Sequence, residues 1–232
     1  MATKRSKRYR EAAKLVDPTK SYPLGEAVET LKKFPAPKFD QTVTISLHMG
    51  VDPRKSDQMI RGTCPLPHGS GKQVRVLVFA TGDAAAAAKE AGAEMVGYED
   101  LIAKIQGGFT DFDVAVATPE AMADVRKLGR QLGPRGLMPN PKTGTVTTDT
   151  AEAVRAVKAG RVDFKLDRGG NIAVAVGKVS FEPQKLAENA RAVIESVIRA
   201  KPATAKGNYI RSASLAATMS PGVALEPATY AL

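Results

Sequence analysis

Along TVTISLHM, apolar and polar residues alternate, with Val43, Ile45 and Leu47 on one face, and this period of two predicts a half-buried strand. Before it, SYPLGEAVETLKKF carries Leu24, Ala27, Val28 and Leu31 at helical spacing; Ser21 is a candidate cap, and PAPKF ends the helix. VDPRKSDQ reads as a turn-rich loop. GTCPLPHGSG reads as a short strand whose exit is marked by Pro65, Pro67, Gly69 and Gly71. After Gly71 the pattern changes to near-continuous apolar runs, QVRVLVFATG and FDVAVAT, alternating with the helix-prone DAAAAAKEAGA and EDLIAKIQGG and a short strand around 95–96. PEAMADVRKLGRQLG opens with Pro119 where a helix would begin, and DTAEAVRAVKAG predicts a helix ending at Gly160. Beyond Gly160 the alternation returns. RVDFKLDRGGNIAVAVGKVSF predicts two strands around DRGGN, a hairpin signal. PQKLAENARAVIESVIRAKP places Leu186, Ala190, Val193, Ile194, Val197 and Ile198 on one helical stripe, and KGNYIRSASLAATMSPGVAL predicts a closing pair of strands.

Strand–helix alternation in the middle of the chain argues for a largely parallel sheet, and the two flanks read as antiparallel α+β. The expected architecture is therefore an α+β outer domain, discontinuous and of split β-α-β type, made from residues 1–68 and 160–232. A three-layer α/β Rossmann-like domain, residues 69–159, is inserted between them. Two connections near PLPHGSG and KAGR would limit relative motion to opening and closing.

Charge sharpens this division. The chain of 232 residues carries a formal net charge of +10. Residues 69–159 hold eleven Lys/Arg and eleven Asp/Glu, so the remaining 23 basic and 13 acidic residues place the whole excess in the outer domain. A protein that grips a polyanion through one domain has this distribution. Residues 4–14 alone carry six basic side chains against Glu11. The stretch KLGRQLGPRGLMPNPKTGTV, residues 127–146, contains no acidic residue. No apolar run is long enough for a membrane helix, so no membrane partner is expected.

Candidate chemistry is sparse. The single cysteine, Cys64, excludes an internal disulfide and a cysteine zinc cluster, and a small packed residue is the expected role. His48 and His68 sit in no catalytic or ligand spacing, so neither metal nor cofactor is expected. Asp111 and Asp113 read as a solvated loop-end pair. FATGDAAAAA lacks both dinucleotide and phosphate-loop patterns; Gly82 reads as a strand-end turn and Asp83 as a helix cap. A nucleotide-dependent enzyme built on the α/β domain stays open as the alternative, disfavoured by those missing glycines. RNA recognition without a helix-turn-helix or zinc finger relies on sheet or loop surfaces with basic side chains. Lys38, Phe39 and Thr42 at a strand start, Asp167 and Arg168 at a hairpin tip, and Arg211, Ser212, Thr218, Met219 and Ser220 on the terminal strand pair fit that description.

KLGRQLGPRGLMPNPKTGTV resembles the signature of the L-one family of large-subunit ribosomal proteins in its bacterial form. KFDQTV, VDPRKSDQMIRGT, LPHGSGKQVRV, FDVAVATPE and AKGNYIRS resemble further family blocks in the same order. The resemblance covers nearly the whole chain. It implies an α/β domain inserted into an α+β domain made from both termini. It also implies binding to the mobile stalk of large-subunit ribosomal RNA beside the exit site, which moves as deacylated tRNA leaves, and repression through the protein's own mRNA leader. Other ribosomal components are then neighbours, and the location is the cytoplasmic ribosome. Family RNA contacts map onto Lys38, Phe39, Thr42, Asp167, Arg168, Ser212, Thr218, Met219 and position 220. There the family's usual glycine is replaced by Ser220, a poorer fit if that backbone needs positive φ. The 127–146 stretch is expected as a rigid loop of the inserted domain, with Arg130, Arg135 and Lys142 making secondary RNA or tRNA contacts or facing the cleft.

Overall fold

The structure, a computed structural model, describes residues 5–230; Lys4 of the basic N-terminal segment and the side chain of Lys142 lie outside the described residues. In chain order the elements are α1 (Lys7–Ala13), α2 (Leu24–Lys32), β1 (Thr42–Met49), β2 (Arg61–Pro65), β3 (Val76–Phe79), α3 (Gly82–Glu90), β4 (Met95–Gly97), α4 (Glu99–Gln106) and β5 (Val114–Ala117). They continue with α5 (Met122–Val125), α6 (Gly129–Leu132), α7 (Thr150–Lys158), β6 (Arg161–Lys165), β7 (Asn171–Lys178), α8 (Pro183–Arg199), β8 (Ile210–Ala217) and β9 (Val223–Ala224). The chain divides into two compact units, one of residues 1–71 and 162–232 and the other of residues 72–161.

In the first unit the alternation of β1 makes it the central strand of an antiparallel sheet ordered β7-β1-β8-β9. Val43, Ile45, Leu47 and Met49 are buried, with Ile172, Val174 and Val176 of β7 and Ala213, Leu215 and Ala217 of β8 beside them. They share one core with Leu24, Ala27, Val28 and Leu31 of α2 and Leu186, Ala190, Val193, Ile194 and Val197 of α8. Full burial of each Val, Leu, Ile or Met side chain among them stabilises by about 1.5–3 kcal/mol. Pro183 opens α8 at a position where a missing N–H costs nothing. Buried Asn189 on the same helix donates to the carbonyls of Gly69 (3.0 Å) and Val176 (2.7 Å) and accepts from the His68 amide (3.1 Å). It thereby fastens the chain to the core just before it leaves this unit.

The second unit is a parallel sheet ordered β4-β3-β5 between two helical layers. All four residues of β3 are buried, as a strand covered on both faces requires. Leu77 and Phe79 pack with Leu101, Ile105, Leu128 and Leu132 on one side. Val76 and Val78 pack with Ala88, Ala153, Val154 and Val157 of α3 and α7 on the other. Asp149 caps α7 by accepting from the Glu152 amide at 2.9 Å, and Gly160, at φ 101, ends it.

Several local expectations are corrected. Ser21 caps nothing: Tyr22 bridges to Leu225, Pro23 holds the position before α2, and no side chain caps that helix. Asp83 is not a cap either; α3 starts at Gly82, so Asp83 lies inside its first turn, where its charge complements the helix dipole. The helix expected from Pro119 is broken into α5, a 3-10 turn at 126–128 and α6, which stops at Gly133. The predicted hairpin around DRGGN does not form. β6 pairs with β2 in a separate two-stranded sheet while β7 pairs with β1, so the alternation is right and the partners are distant. Asp111 and Asp113 are not merely solvated: Arg75 binds both, and Lys72 lies 2.6 Å from Asp113.

Candidate nucleic-acid interface

One end of the four-stranded sheet gathers six of the expected residues. The Thr42 amide donates to Thr218 Oγ1 at 3.2 Å and the Thr218 amide donates to the Thr42 carbonyl at 3.1 Å, so the β1–β8 ladder runs one rung past the strand. Gln41 Nε2 donates to the Thr218 carbonyl at 2.6 Å, and Lys178 Nζ donates to Thr42 Oγ1 at 2.9 Å. The turn that follows is closed by Ser220, whose amide donates to the Ala217 carbonyl (3.0 Å) and whose Oγ accepts from the Ala217 amide (2.9 Å). Met219 sits between them at φ 62, the one non-glycine residue with positive φ among the described residues. This conformation costs a side-chain-bearing residue about 1–2 kcal/mol. The left-handed position is thus Met219 and not Ser220, and serine fits because its hydroxyl holds the turn. Met219 is 70% exposed and Phe39 is 49% exposed, while Lys38 is exposed beside it. These large apolar side chains stand in water although the core lies next to them.

The other four outer residues lie at the opposite end, seven residues along β1 and about 24 Å away at the usual rise per residue. Asp167 Oδ1 accepts from the amides of Gly169 (2.8 Å) and Asn171 (2.7 Å). Those bonds, led by the one from Asn171, hold its carboxyl below the usual carboxylate range. Arg168 is exposed on this turn, and Arg211 and Ser212 are exposed at the start of β8. His48 Nδ1 lies 2.8 Å from Asn171 Oδ1, and His48 is paired across the ladder with both Asn171 and Ser212.

Between the two ends runs a surface that sequence reasoning missed. Helices α2 and α8 take the buried alternates of the sheet, and the other alternates stay partly exposed. Its rows are Ala175–Thr44–Ala216, Ala173–Ser46–Ser214 and Asn171–His48–Ser212. Small side chains and hydroxyls let a sugar–phosphate backbone approach closely and offer it donors and acceptors. The signal was the polar half of the TVTISLHM alternation, which becomes a surface only once both helices are known to cover the other half.

Arg130 and Arg135 belong to the second unit and are exposed there, Arg135 donating to Thr110 Oγ1. Arg130 lies on α6, and the loop that follows Arg135 is tied down from within. Asn140 O accepts from the hydroxyls of Thr143 and Thr145, both at 3.1 Å, and the Ala117 amide donates to the Thr145 carbonyl at 2.9 Å, bridging residue 146 onto β5. Elsewhere, Cys64 is fully buried and accepts from Ser196 Oγ at 3.2 Å; burial pushes its thiol pKa up, away from nucleophile chemistry. His68 lies 2.5 Å from Glu188. Among the described residues no helix is long and apolar enough to cross a membrane.

Fold and surface together define a mixed α/β protein of two units, one of them basic and presenting an open, hydroxyl-lined sheet face between two clusters of exposed side chains. The sequence profile of the ribosomal protein L1p/L10e family matches residues 31–221, and the chain belongs to that family. It is 55% identical to the large ribosomal subunit protein uL1 of Bifidobacterium longum subsp. infantis over 98% of this chain and 99% of that one. It is 57% identical to that of Protochlamydia amoebophila over 95% and 94%, and 54% identical to that of Thermobifida fusca over 97% and 95%. The chain is accordingly a ribosomal protein of the large subunit, a non-enzymatic component cytoplasmic in bacteria. The nucleotide-dependent enzyme reading is overturned by this membership.

Proposed function

We propose that the outer unit binds large-subunit ribosomal RNA through the open face of β7, β1 and β8, forming the mobile stalk at the exit site and assisting release of deacylated tRNA. Lys38, Phe39, Thr42, Thr218, Met219 and Ser220 grip one end of the RNA. Asp167, Arg168, Arg211 and Ser212 hold the other. Arg130, Arg135 and Lys142 make secondary RNA or tRNA contacts from the inserted Rossmann-like unit. The observation that carries this reading is the pair of exposed, hydrogen-bond-braced clusters joined by a small polar sheet face. Their unit holds 22 Lys/Arg against 13 Asp/Glu, while the other holds 12 against 11.

Phosphate contacts by such a surface release condensed counterions, so affinity for a stalk RNA fragment should fall linearly on a log–log plot against salt. With three basic contacts at the two ends, Lys38, Arg168 and Arg211, the slope should be about −2 to −3. An affinity that does not change with salt contradicts the electrostatic part. The same face would bind a similar fold in the protein's own mRNA leader and repress its translation. The two RNAs should then compete for one site in an equilibrium displacement assay, and simultaneous binding of both would refute the shared face.

A further inference from the structure

Four large apolar side chains are exposed among the described residues: Leu15, Phe39, Met59 and Met219. Phe39 and Met219 belong to the proposed interface. Met59, 53% exposed, lies at the end of the unit that holds Asp167 and Arg168. With Pro53, Lys165, Leu166, Asp167 and Arg168 it walls a groove of about 440 Å³. The walls are fixed. Gln58 Oε1 accepts from the Asp52 amide at 2.8 Å, Asp52 Oδ1 accepts from the Arg54 amide at 3.0 Å, and the Leu166 amide donates to the Ile60 carbonyl at 2.9 Å. One wall is therefore apolar and polarisable, from Pro53 and Met59, and the other carries the exposed cations Lys165 and Arg168. Asp167, the one acid in the lining, has its carboxylate turned to backbone donors.

We propose that this groove seats one unstacked nucleotide of the bound RNA, with the base against Met59 and Pro53 and the adjoining phosphate at Lys165 and Arg168. The inference rests on the reading that the outer unit binds ribosomal RNA. An apolar surface flanked by cations matches a nucleotide in both halves, because the base needs a flat, polarisable contact and the phosphate a positive one. A thioether suits the first task, since sulfur makes favourable contacts with aromatic rings. A second base seat on the same unit as Phe39 and Met219 would also fix the register of the RNA along the sheet.

The test uses the full chain and a stalk RNA fragment of the large subunit. Met59→Ala should weaken binding by about fivefold, below the loss of a fully stacked base, and Met59→Leu should restore most of the affinity. The thermal transition should stay unchanged in both variants, because the side chain is exposed. Irradiating a complex made with 4-thiouridine RNA should crosslink residues 56–61. A Met59→Ala chain that binds as well as wild type overturns the proposal. Failure of the wild-type chain to bind the fragment at all would instead defeat the functional reading on which it rests.

Discussion

Met219 offers a way to separate binding from folding at one residue, because its backbone is strained while its side chain is free of the core. At φ 62 the residue pays the left-handed penalty of about 1–2 kcal/mol, which glycine does not. Glycine in turn loses about 0.5–1 kcal/mol through the greater freedom of its unfolded chain. Met219→Gly should therefore stabilise the outer unit by about 0.5–1 kcal/mol, a rise of roughly 2 °C in its thermal transition. Met219→Ala keeps the strain and removes a side chain that is 70% exposed, so its transition should stay within about 1 °C of wild type. Both changes delete the same thioether contact, worth about 1 kcal/mol against an aromatic base, and both should weaken stalk RNA binding by about fivefold. Differential scanning calorimetry and fluorescence anisotropy on the two variants give the four numbers needed. Wild-type affinity in both variants would refute the contact, and a Met219→Ala chain that melts several degrees lower would show that the side chain packs after all.

Asn189→Ala should lower stability by roughly 3 kcal/mol, measured by urea unfolding, because it removes three hydrogen bonds and strands the buried carbonyl of Val176 and the partly buried one of Gly69. Asp113 is held down to about 2 chiefly by Lys72, with Arg75 adding backbone and side-chain bonds. A depressed carboxyl stabilises the fold above its ordinary pKa near 4 and loses that contribution as pH falls through about 2. Acid titration of unfolding free energy should therefore decline between about pH 4 and 2 in wild type and decline less in Asp113→Asn.

What the sequence made legible was local. The stripe of α8 and the alternation of β1 depend on helix and strand periods alone, and the core uses those residues. The hairpin failed because alternation in RVDFK and NIAVAVGK fixes which side faces inward and leaves the partner strand open; β2 and β1, far away in the chain, supply the partners. Exposure of Phe39 and Met219 could be suspected from the turn residues beside them. The part played by Ser220 could not, since it depends on the left-handed position falling one residue earlier, at Met219. Thr44, Ser46 and His48 were visible as the polar half of a strand, and Met59 as a residue in a loop. That the first three line an open sheet face, and the last a braced groove, follows only from tertiary packing.

The central claim is that ribosomal RNA lies on the β7-β1-β8 face of the outer unit. Amide chemical shifts of the isotope-labelled chain, followed during titration with stalk RNA, test it residue by residue. The account predicts that the largest changes fall in residues 38–48, 167–173 and 211–220, with Met59 beside them and smaller changes near Arg130 and Arg135. Changes confined to residues 126–145, with the sheet face silent, would contradict it.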